Sequence, residues 1–365
     1  MRLEDLGEFP LIARLTAGLE SRADVALGVG DDAAALDLGA DHLLLATCDA
    51  QVEGTHFLPS VASPEEIGHK ALAVNLSDIA AMGGEPLWAL VSLIAPPTLD
   101  VATLDGVYAG MRALARRFNV ALVGGNVSST PGPLTLDVTA LGRVTRERML
   151  TRAGARAGDR LLVTGRLGAA VAALLAFTDA PEEADLPAEA LSEARHAMVT
   201  PQPRVREGMA LAATGQVSAM LDISDGLAGD LGHMCERSQV GAIVELAALP
   251  VDAPTRALAL ALGRDPVRLA LTSGDDYELL FAVRPEGVAD ALEAVRAVGG
   301  VATVIGEITT ANEGLRVREP DGALRPLDAR GWDHLRHAEL PGKGADDARD
   351  DARDTTNDND SHDSQ

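Results

Sequence analysis

The stretch HKALAVNLSDIAAMGG, residues 69–84, covers most of a predicted helix, which runs from Pro64 to about Met82, and the two glycines that follow it. Just before it, Ser63-Pro64-Glu65-Glu66 has the form of a capping box, with serine as the N-cap and proline at the first helical position. The pair Gly83-Gly84 stops the helix. The stretch therefore predicts a long helix with well-defined ends.

Apolar runs on both sides of this helix predict strands that alternate with further helices. That alternation is typical of a mixed α/β (α+β) fold. The predicted strands are His42–Cys48, Leu87–Ala95, Val120–Val123, Leu134–Val144, Arg160–Thr164, Val217–Leu221, Tyr277–Val283 and Val301–Ile305. Further helices are predicted over Asp100–Phe118 and from about Gly168 to Phe177.

The length of 365 residues predicts two domains. The pattern breaks around Thr151–Asp159, so we place the boundary there: residues 1–150 form an N-terminal domain and 151–338 a C-terminal α/β domain. Residues 339–365 consist largely of Asp, Asn, Ser, Gly and Ala, and are predicted to be a disordered acidic tail.

Charge and cysteine content narrow the class of protein. The net charge of −24 argues against nucleic acid as a partner, because that surface needs clustered Lys and Arg. Neither cysteine lies in a CxxC pair, and there is neither a signal peptide nor an 18-residue apolar run, so a cytoplasmic protein without a membrane partner is expected. The two lysines, Lys70 and Lys343, leave metal ions and arginines to neutralise any polyphosphate ligand.

Five short motifs place acidic or amide side chains at the end of an apolar strand, in a glycine turn, or on the central helix. Glycine lets the backbone approach a ligand closely, and carboxylate oxygens are the ligands that Mg²⁺ prefers. Each motif alone also has an ordinary reading as a turn or a cap; together they predict a shared Mg²⁺ site. The motifs are Gly28-Val29-Gly30-Asp31-Asp32, Thr47-Cys48-Asp49, Asn75-Leu76-Ser77-Asp78, Asp222-Ile223-Ser224-Asp225 and Ser273-Gly274-Asp275-Asp276.

Asp78 is the most informative of these acids. On the predicted helix it shares a mainly small and apolar face with Ala71, Val74 and Asn75, where an unpaired carboxylate would be costly. No GxxxxGK[ST] phosphate loop and no protein-kinase signature accompany it. The acids therefore predict a shared Mg²⁺ site that is not part of either of these motifs.

In this order and spacing the motifs resemble the thiamine-monophosphate kinases, within the superfamily of aminoimidazole ribonucleotide synthetase. The resemblance runs from about Gly7 to His334 and is most specific at Gly28–Asp32, His69–Gly84, Leu221–Leu231 and Ser273–Leu280. It implies phosphoryl transfer from ATP to thiamine monophosphate, with several Mg²⁺ ions. It also implies a homodimer whose N-terminal sheets join in a barrel, with active sites between domains and subunits.

The resemblance also implies roles for individual residues. The carboxylates Asp49, Asp78 and Asp222 carry catalysis by holding metal. The full metal set is Asp32, Thr47, Cys48, Asp49, Asp78, Asn126, Asp222 and Asp225. The nucleotide contacts are Tyr108, Gly125, Asn126, Arg152 and Ser224. The substrate contacts are His56, Asp275 and Trp332.

Three positions depart from the family pattern. Asn126 stands where the family usually has aspartate, so we expect weaker metal binding there. Asp275 replaces a glutamate and is one methylene shorter. Cys48 replaces a hydroxyl residue, so either its backbone oxygen serves as the ligand or that contact is missing. Three alternatives stay open: another ATP-dependent synthetase or kinase of this superfamily, a Mg²⁺-dependent phosphatase, and a metal-binding protein without catalysis whose acids form a solvated surface.

Overall fold

The computed structural model describes residues 8–17, 22–39, 41–181, 183–272 and 274–327. Within these residues the strands form one six-stranded and one seven-stranded mixed sheet with helices packed on them, so the predicted mixed α/β fold is confirmed. The helices are α1 (Glu8–Thr16), α2 (Pro64–Ala81), α3 (Val101–Phe118), α4 (Ala169–Thr178), α5 (Ala188–Val199), α6 (Val205–Thr214), α7 (Leu227–Ser238), α8 (Ala253–Ala261), α9 (Pro266–Thr272) and α10 (Val288–Ala297).

The first sheet has the strand order β1-β2-β3-β6-β4-β5. All neighbours are antiparallel except β4 and β5, which are parallel. Its strands are β1 (Val25–Leu27), β2 (Ala34–Asp37), β3 (His42–Val52), β4 (Glu85–Ala95), β5 (Ala121–Ser129) and β6 (Thr135–Thr145). One face is buried under helices α2 and α3, and along β3, β4 and β6 the other face is more exposed.

Helix α2 is the central helix of the molecule. The predicted capping box is present: the Ser63 hydroxyl accepts from the Glu66 amide, and the Glu66 carboxylate accepts from the Ser63 amide. The helix crosses α3 at two glycines, Gly68 of α2 and Gly110 of α3. A Cβ on Gly68 would lie 1.8 Å from the Val107 carbonyl oxygen, and a Cβ on Gly110 would lie 1.8 Å from the Glu65 carbonyl oxygen. These glycines let the two backbones touch and draw α2 down onto the sheet.

The second sheet has the order β13-β12-β9-β11-β7-β10-β8, and only the β12–β9 pair is parallel among its described strands. Its strands are β7 (Arg160–Thr164), β8 (Val217–Asp222), β9 (Val240–Glu245), β10 (Leu279–Val283), β11 (Ala302–Thr310), β12 (Leu315–Arg318) and β13 (Leu324–Pro326). Strand β8 at its edge contacts helix α2, which brings the end of β8 to the first sheet.

The two halves of the chain share one apolar core. A continuous buried cluster includes Leu76 and Ala80 of α2 together with Leu211 of α6 and Met220 of β8. The first sheet ends at Thr145 and the second begins at Arg160, so we propose to keep the domain boundary at residues 150 and 151. Burial of apolar side chains between the halves holds them in one relative position and makes a site between them possible.

Two sequence-based element predictions differ from the structure. The short strand predicted over Val120–Val123 is longer in the structure. Strand β5 continues through Gly124 and Gly125 to Ser129, and these glycines have φ of 149° and 154°, values that only glycine adopts easily. The strand predicted to begin at Tyr277 begins at Leu279, because Tyr277 has φ of 51° and lies in the loop before the strand.

No helix among the described residues is long and apolar enough to cross a membrane. The predicted tail, 339–365, lies outside the described residues.

Candidate active site

Helix α2 supplies polar side chains to both halves of the chain. Toward the first sheet, the Asn75 side-chain oxygen accepts from the Asp49 amide at 3.1 Å, and Asp78 accepts from the Thr47 hydroxyl at 2.5 Å. Toward the second half, the Ser77 hydroxyl donates to Asp222 at the end of β8, at 2.6 Å. The helix thus orients its own Asp78 and the Asp222 carboxylate at the end of β8, and it contacts the backbone of β3 at Asp49.

Three carboxylates meet at that point. Asp32, Asp78 and Asp222 each offer an oxygen, and these oxygens all lie within 4.8 Å of one another. Asp32 and Asp222 are 7% and 2% exposed, which excludes a solvated acidic surface. The predicted metal-binding acids Asp32, Asp78 and Asp222 are therefore brought together by the fold.

The electrostatics of the cluster favour the binding of a positive charge. Burial, followed by the charge of Asp32, raises the pKa of Asp222 to about 7. Burial also raises the pKa of Asp78 well above its ordinary value, and the charges of Asp49 and Asp222 add to the increase. Asp49 therefore lies close enough to act on both. Like charges in a poorly solvated place favour protonation unless a cation intervenes.

Arg152 supplies part of that positive charge. Its Nε and Nη2 atoms lie 3.1 and 2.6 Å from the same oxygen of Asp32, and its backbone amide donates to Asp31. Burial raises the pKa of Asp31 to about 6, with a further contribution from the charge of Asp32. The structure thus shows Arg152 paired with an acid of the cluster, and its predicted contact with a nucleotide remains a prediction.

The donor set fits a hard divalent cation. The second oxygen of Asp32, Oδ2, is buried and has no hydrogen-bond partner among the residues that the structure describes. An unsatisfied buried carboxylate oxygen is costly, and a cation removes that cost. Three carboxylate oxygens suit Mg²⁺ better than soft metals, which prefer thiolates and imidazoles.

A separate pocket opens between helix α3 and the edge strand β5. Its volume is about 600 Å³, and its lining includes Tyr108, Gly125 and Asn126, three of the predicted nucleotide contacts. Arg112 and Arg116 of α3 also line it. An apolar cleft with two guanidinium groups at its wall suits a flat base that carries anionic groups.

The pocket and Asp49 lie at opposite ends of a line of paired residues that crosses four strands of the first sheet. Asp49 pairs with Val138, Val138 with Val91, and Val91 with Gly125. Three interstrand spacings make the backbones of the first and last residues about 14 Å apart. Asn126, next to Gly125, therefore lies apart from these three carboxylates within one chain, and its role as a ligand of one of several Mg²⁺ ions remains a prediction.

Cys48 also lies away from the carboxylates. Successive side chains of a strand point to opposite faces, and Cys48 points to the face opposite Thr47 and Asp49. There its thiol donates to Asp137 at 2.9 Å, on the neighbouring strand β6. The Cys48 side chain is thus turned away from the carboxylates, and a metal contact through its backbone oxygen remains a prediction.

Two of the three predicted substrate contacts lie near each other. The carbonyl oxygen of His56 and the carboxylate of Asp275 both accept from the ammonium group of Lys70. The Nδ1 atom of His56 accepts from the Val52 amide at 3.0 Å. The third predicted contact, Trp332, lies outside the described residues.

The turn after strand β8 holds the remaining predicted residues. Ser224 accepts from the Asp275 amide through its carbonyl oxygen. The amides of Asp225 and Gly226 donate to the buried carboxylate of Asp230, which fixes the turn at the start of helix α7. Gly226 rather than Asp225 takes the N-cap position of α7, so the capping explanation for Asp225 does not apply.

Sequence reasoning missed several residues of this region. Ser77 and Lys70 lie seven positions apart, which places both on the side of α2 that faces the second half of the chain. That spacing was readable in the sequence. Arg112 and Arg116 are four apart on α3 and form one stripe, but nothing in the sequence indicates that β5 lies beside them.

Comparisons with known proteins agree with this architecture. Residues 30–144 match the model of the AIR synthase related protein, N-terminal domain, and residues 156–318 match the corresponding C-terminal domain. The thiamine-monophosphate kinase of Escherichia coli O157:H7 is 39% identical over 332 residues, which cover 90% of this chain and 98% of that protein. The thiamine-monophosphate kinase of Aquifex aeolicus is 35% identical over 92% of this chain and all of its own length.

A solved structure gives the same result. AaThiL complexed with AMPPCP and TMP has a TM-score of 0.79 and 33% identity, and the match covers 92% of this chain and 99% of that one. The predicted aminoimidazole ribonucleotide synthetase-like fold is thereby confirmed. The chain belongs to the thiamine-monophosphate kinase family of AIR synthase related proteins.

Proposed function

We propose that this protein transfers the γ-phosphoryl group of ATP to thiamine monophosphate, forming thiamine diphosphate and ADP in a Mg²⁺-dependent reaction. The observation that carries the proposal is the convergence of the Asp32, Asp78 and Asp222 carboxylates between the two halves of the chain. Relatives of 35–39% identity over nearly their whole length are thiamine-monophosphate kinases, and a structural neighbour binds an ATP analogue together with TMP.

The chemistry needs positioning and charge neutralisation more than a base. A phosphate oxygen of thiamine monophosphate forms a bond to the γ-phosphorus while the bond from that phosphorus to the β,γ-bridging oxygen breaks, and ADP leaves. The attacking oxygen is already ionised, so no proton has to be removed. Bound Mg²⁺, held by Asp32, Asp49, Asp78 and Asp222, would neutralise the negative charge that develops on the transferred group.

The residues of the chain hold these carboxylates in place. The hydroxyl groups of Thr47 and Ser77 each donate to one carboxylate, which fixes the orientation of Asp78 and Asp222. Arg152 balances the charge of Asp32. Because these contacts come from buried or partly buried elements, little rearrangement is needed when the anionic reactants arrive.

The direct test is formation of thiamine diphosphate from thiamine monophosphate, ATP and Mg²⁺ by the purified full-length protein. The product should appear with one ADP per thiamine diphosphate. Release of inorganic phosphate from thiamine monophosphate without ATP would instead identify a phosphatase. Tight binding of ATP and Mg²⁺ without product would point to a different phosphorylated substrate within the same superfamily.

The pocket beside strand β5 is proposed to hold the adenine and ribose of ATP. Its supporting features are the partly buried ring of Tyr108 and the open backbone at Gly125. A Tyr108→Ala variant is expected to raise the KM for ATP on the order of tenfold, because an aromatic contact worth about 1–2 kcal/mol is lost. The KM for thiamine monophosphate should stay within about twofold, and a rise in that value alone would contradict the assignment.

We also propose that the protein is a cytoplasmic homodimer in which strand β5 pairs with a second copy. Nearly every residue of β5 is exposed, Val127 to 76%, and Trp88 on the neighbouring strand to 42%. A long apolar sheet edge left open would favour aggregation, so a partner strand is expected to cover it.

The dimer has its own test. A Val127→Lys substitution is expected to convert the dimer into a monomer, because a charge is placed where an apolar side chain meets the second copy. Light scattering after size-exclusion chromatography measures the mass directly. A wild-type protein that is monomeric at micromolar concentration would contradict this part of the proposal, and Leu260→Lys, at an exposed apolar position on α8 in the second half, is the matched control.

A further inference from the structure

Lys70 is a buried cation in the middle of helix α2 that none of the predicted roles includes. Its side chain is 6% exposed, and its ammonium group contacts the carboxylate of Asp275 and, at 3.2 Å, the carbonyl oxygen of His56. Lysine is rarely buried to this extent, and then it is paired. Lys70 therefore joins the central helix, the turn after β3 and a loop of the second half of the chain.

The loop that Lys70 contacts has an unusual backbone. Asp275 and Tyr277 have φ of 70° and 51°, in the left-handed region that residues with a side chain seldom adopt. Their amides donate to the carbonyl oxygens of Ser224 and Ile223, both at 2.8 Å. Backbone held in such a conformation by surrounding contacts is typical of functional sites, where it fixes the direction of a side chain.

We propose that Lys70 is a positioning residue for the substrate: it holds one oxygen of Asp275, so that the other oxygen is directed at the amino or cationic group of thiamine monophosphate. This inference rests on the proposed function and on the predicted contact of Asp275 with the substrate, and it assigns a role to a residue outside the predicted site. Lys70 acts through Asp275 and not on the reacting phosphates.

Charge gives a second reason for the pair. The site already contains Asp32, Asp78 and Asp222, and both reactants are anions. An Asp275 carboxylate without a counter-ion would repel the phosphate of the substrate. Paired with Lys70, Asp275 can accept a hydrogen bond without adding net negative charge, which suits a substrate with a cationic ring and an anionic tail.

The test compares Lys70→Met with the wild-type protein. Lys70→Met keeps the length of the side chain and removes its charge. The KM for thiamine monophosphate is expected to rise on the order of tenfold, less than for a fully buried pair because Asp275 is 35% exposed. The KM for ATP should stay within about twofold, since the ATP pocket lies at the other end of the sheet.

Arg195→Met is the matched control. Arg195 on α5 pairs with Glu66 at the start of α2, so it is also a cation that joins the two halves of the chain, but it contacts none of the proposed site residues. Its loss is expected to lower the melting temperature and leave both KM values within about twofold of wild type. If Lys70→Met raises the KM for ATP as much as the KM for thiamine monophosphate, and Arg195→Met does the same, Lys70 is only structural and the inference is overturned.

A double variant provides the decisive comparison. Asp275→Asn alone should raise the KM for thiamine monophosphate by a factor similar to that of Lys70→Met, and the double variant by no more than the larger single effect, because one interaction is removed in all three. If the two single effects on the KM for thiamine monophosphate multiply in the double variant, the inference is overturned. If Lys70→Met does not fold, Lys70→Arg, which keeps the charge, replaces it and should retain a KM closer to wild type than Asp275→Asn does.

Failure of the inference and failure of the proposed function give different results. A wild-type protein that makes no thiamine diphosphate refutes the proposed function. A wild-type protein that makes thiamine diphosphate, with an unchanged KM for thiamine monophosphate in Lys70→Met, refutes only the role of Lys70.

Discussion

An Asp222→Asn variant is expected to lose kcat for thiamine diphosphate formation by a factor on the order of 10² or more, with Mg²⁺ and both substrates saturating. Asparagine has the shape of aspartate and still accepts the hydrogen bond of Ser77, which donates to Asp222 at 2.6 Å. The substitution therefore removes the negative charge and replaces one carboxylate oxygen, a possible metal ligand, with an NH₂ group. Metal-held charge neutralisation is the step that depends on this charge, so the rate constant rather than the folding should suffer.

The same variant should be more stable than the wild-type protein when no divalent cation is present. Burial and the charge of Asp32 raise the pKa of Asp222, which shows that its ionised form is disfavoured in the folded protein. Removing one of three converging carboxylates is expected to stabilise the metal-free fold by about 1 kcal/mol or more at pH 8. A melting curve recorded in EDTA measures this directly, beside the kcat measurement.

Asp159→Asn is the matched control for Asp222→Asn. Asp159 is 3% exposed, accepts from the Arg156 amide at 3.0 Å and from the Ser218 hydroxyl at 2.5 Å, and lies outside the carboxylate cluster. Its replacement is expected to destabilise the fold by about 1 kcal/mol and leave kcat within about threefold. Equal loss of kcat in the two variants, or a nearly normal kcat in Asp222→Asn, would refute the metal-binding role.

Removal of divalent cations is expected to abolish activity, and the stabilisation that Mg²⁺ provides should grow as the pH rises from about 5.5 to 8. The pKa values of Asp31 and Asp222 are raised to about 6 and about 7, chiefly by burial. At about pH 5.5 the metal-free folded protein therefore still holds protons on these two carboxyl groups, whereas the unfolded chain has released them. These two groups therefore favour folding at low pH, and that contribution is lost as the pH rises through 6 and 7.

Bound Mg²⁺ reverses this trend, because the metal requires the ionised carboxylates and compensates their charge. For Asp222 alone a shift of this size corresponds to a few kcal/mol, about 1.4 kcal/mol for each pKa unit. Melting temperatures should be measured across this pH range in EDTA and in excess Mg²⁺. The gap between the two curves should widen with pH in the wild-type protein and widen less in Asp222→Asn. A gap that is constant with pH would show that Asp222 does not bind the metal.

Much of the fold could be predicted because its signals are local. The ends of helix α2 depend on the capping box at Ser63 and Glu66 and on the glycines that follow Met82, all within a few residues of the helix. Strand β7 was predicted over the residues that it occupies, Arg160–Thr164, because its apolar run is bounded by polar turns. Strand β5 was misjudged because its glycines look like a turn, whereas pairing with β4 keeps them extended.

The candidate site was only partly predictable. Acids at strand and helix ends were identified from sequence, and three of them meet in the structure. The side of the sheet on which Cys48 lies, and the distance of Asn126 from the carboxylates, follow from register and strand order. Neither can be read from the sequence of one strand, because both depend on which strands pair with each other and in which register.

By itself the sequence determined helices α2, α3 and α4, most of the strands and the set of acids available for metal binding, since these depend on side-chain chemistry and on neighbours a few positions away. Only the tertiary structure decided which of them act together. Ser77 reaches Asp222 across 145 positions of the chain, and Lys70 reaches Asp275 across 205. Such pairs form because burial of the apolar faces of α2 against both halves of the chain fixes their relative position, and that packing is a property of the whole fold.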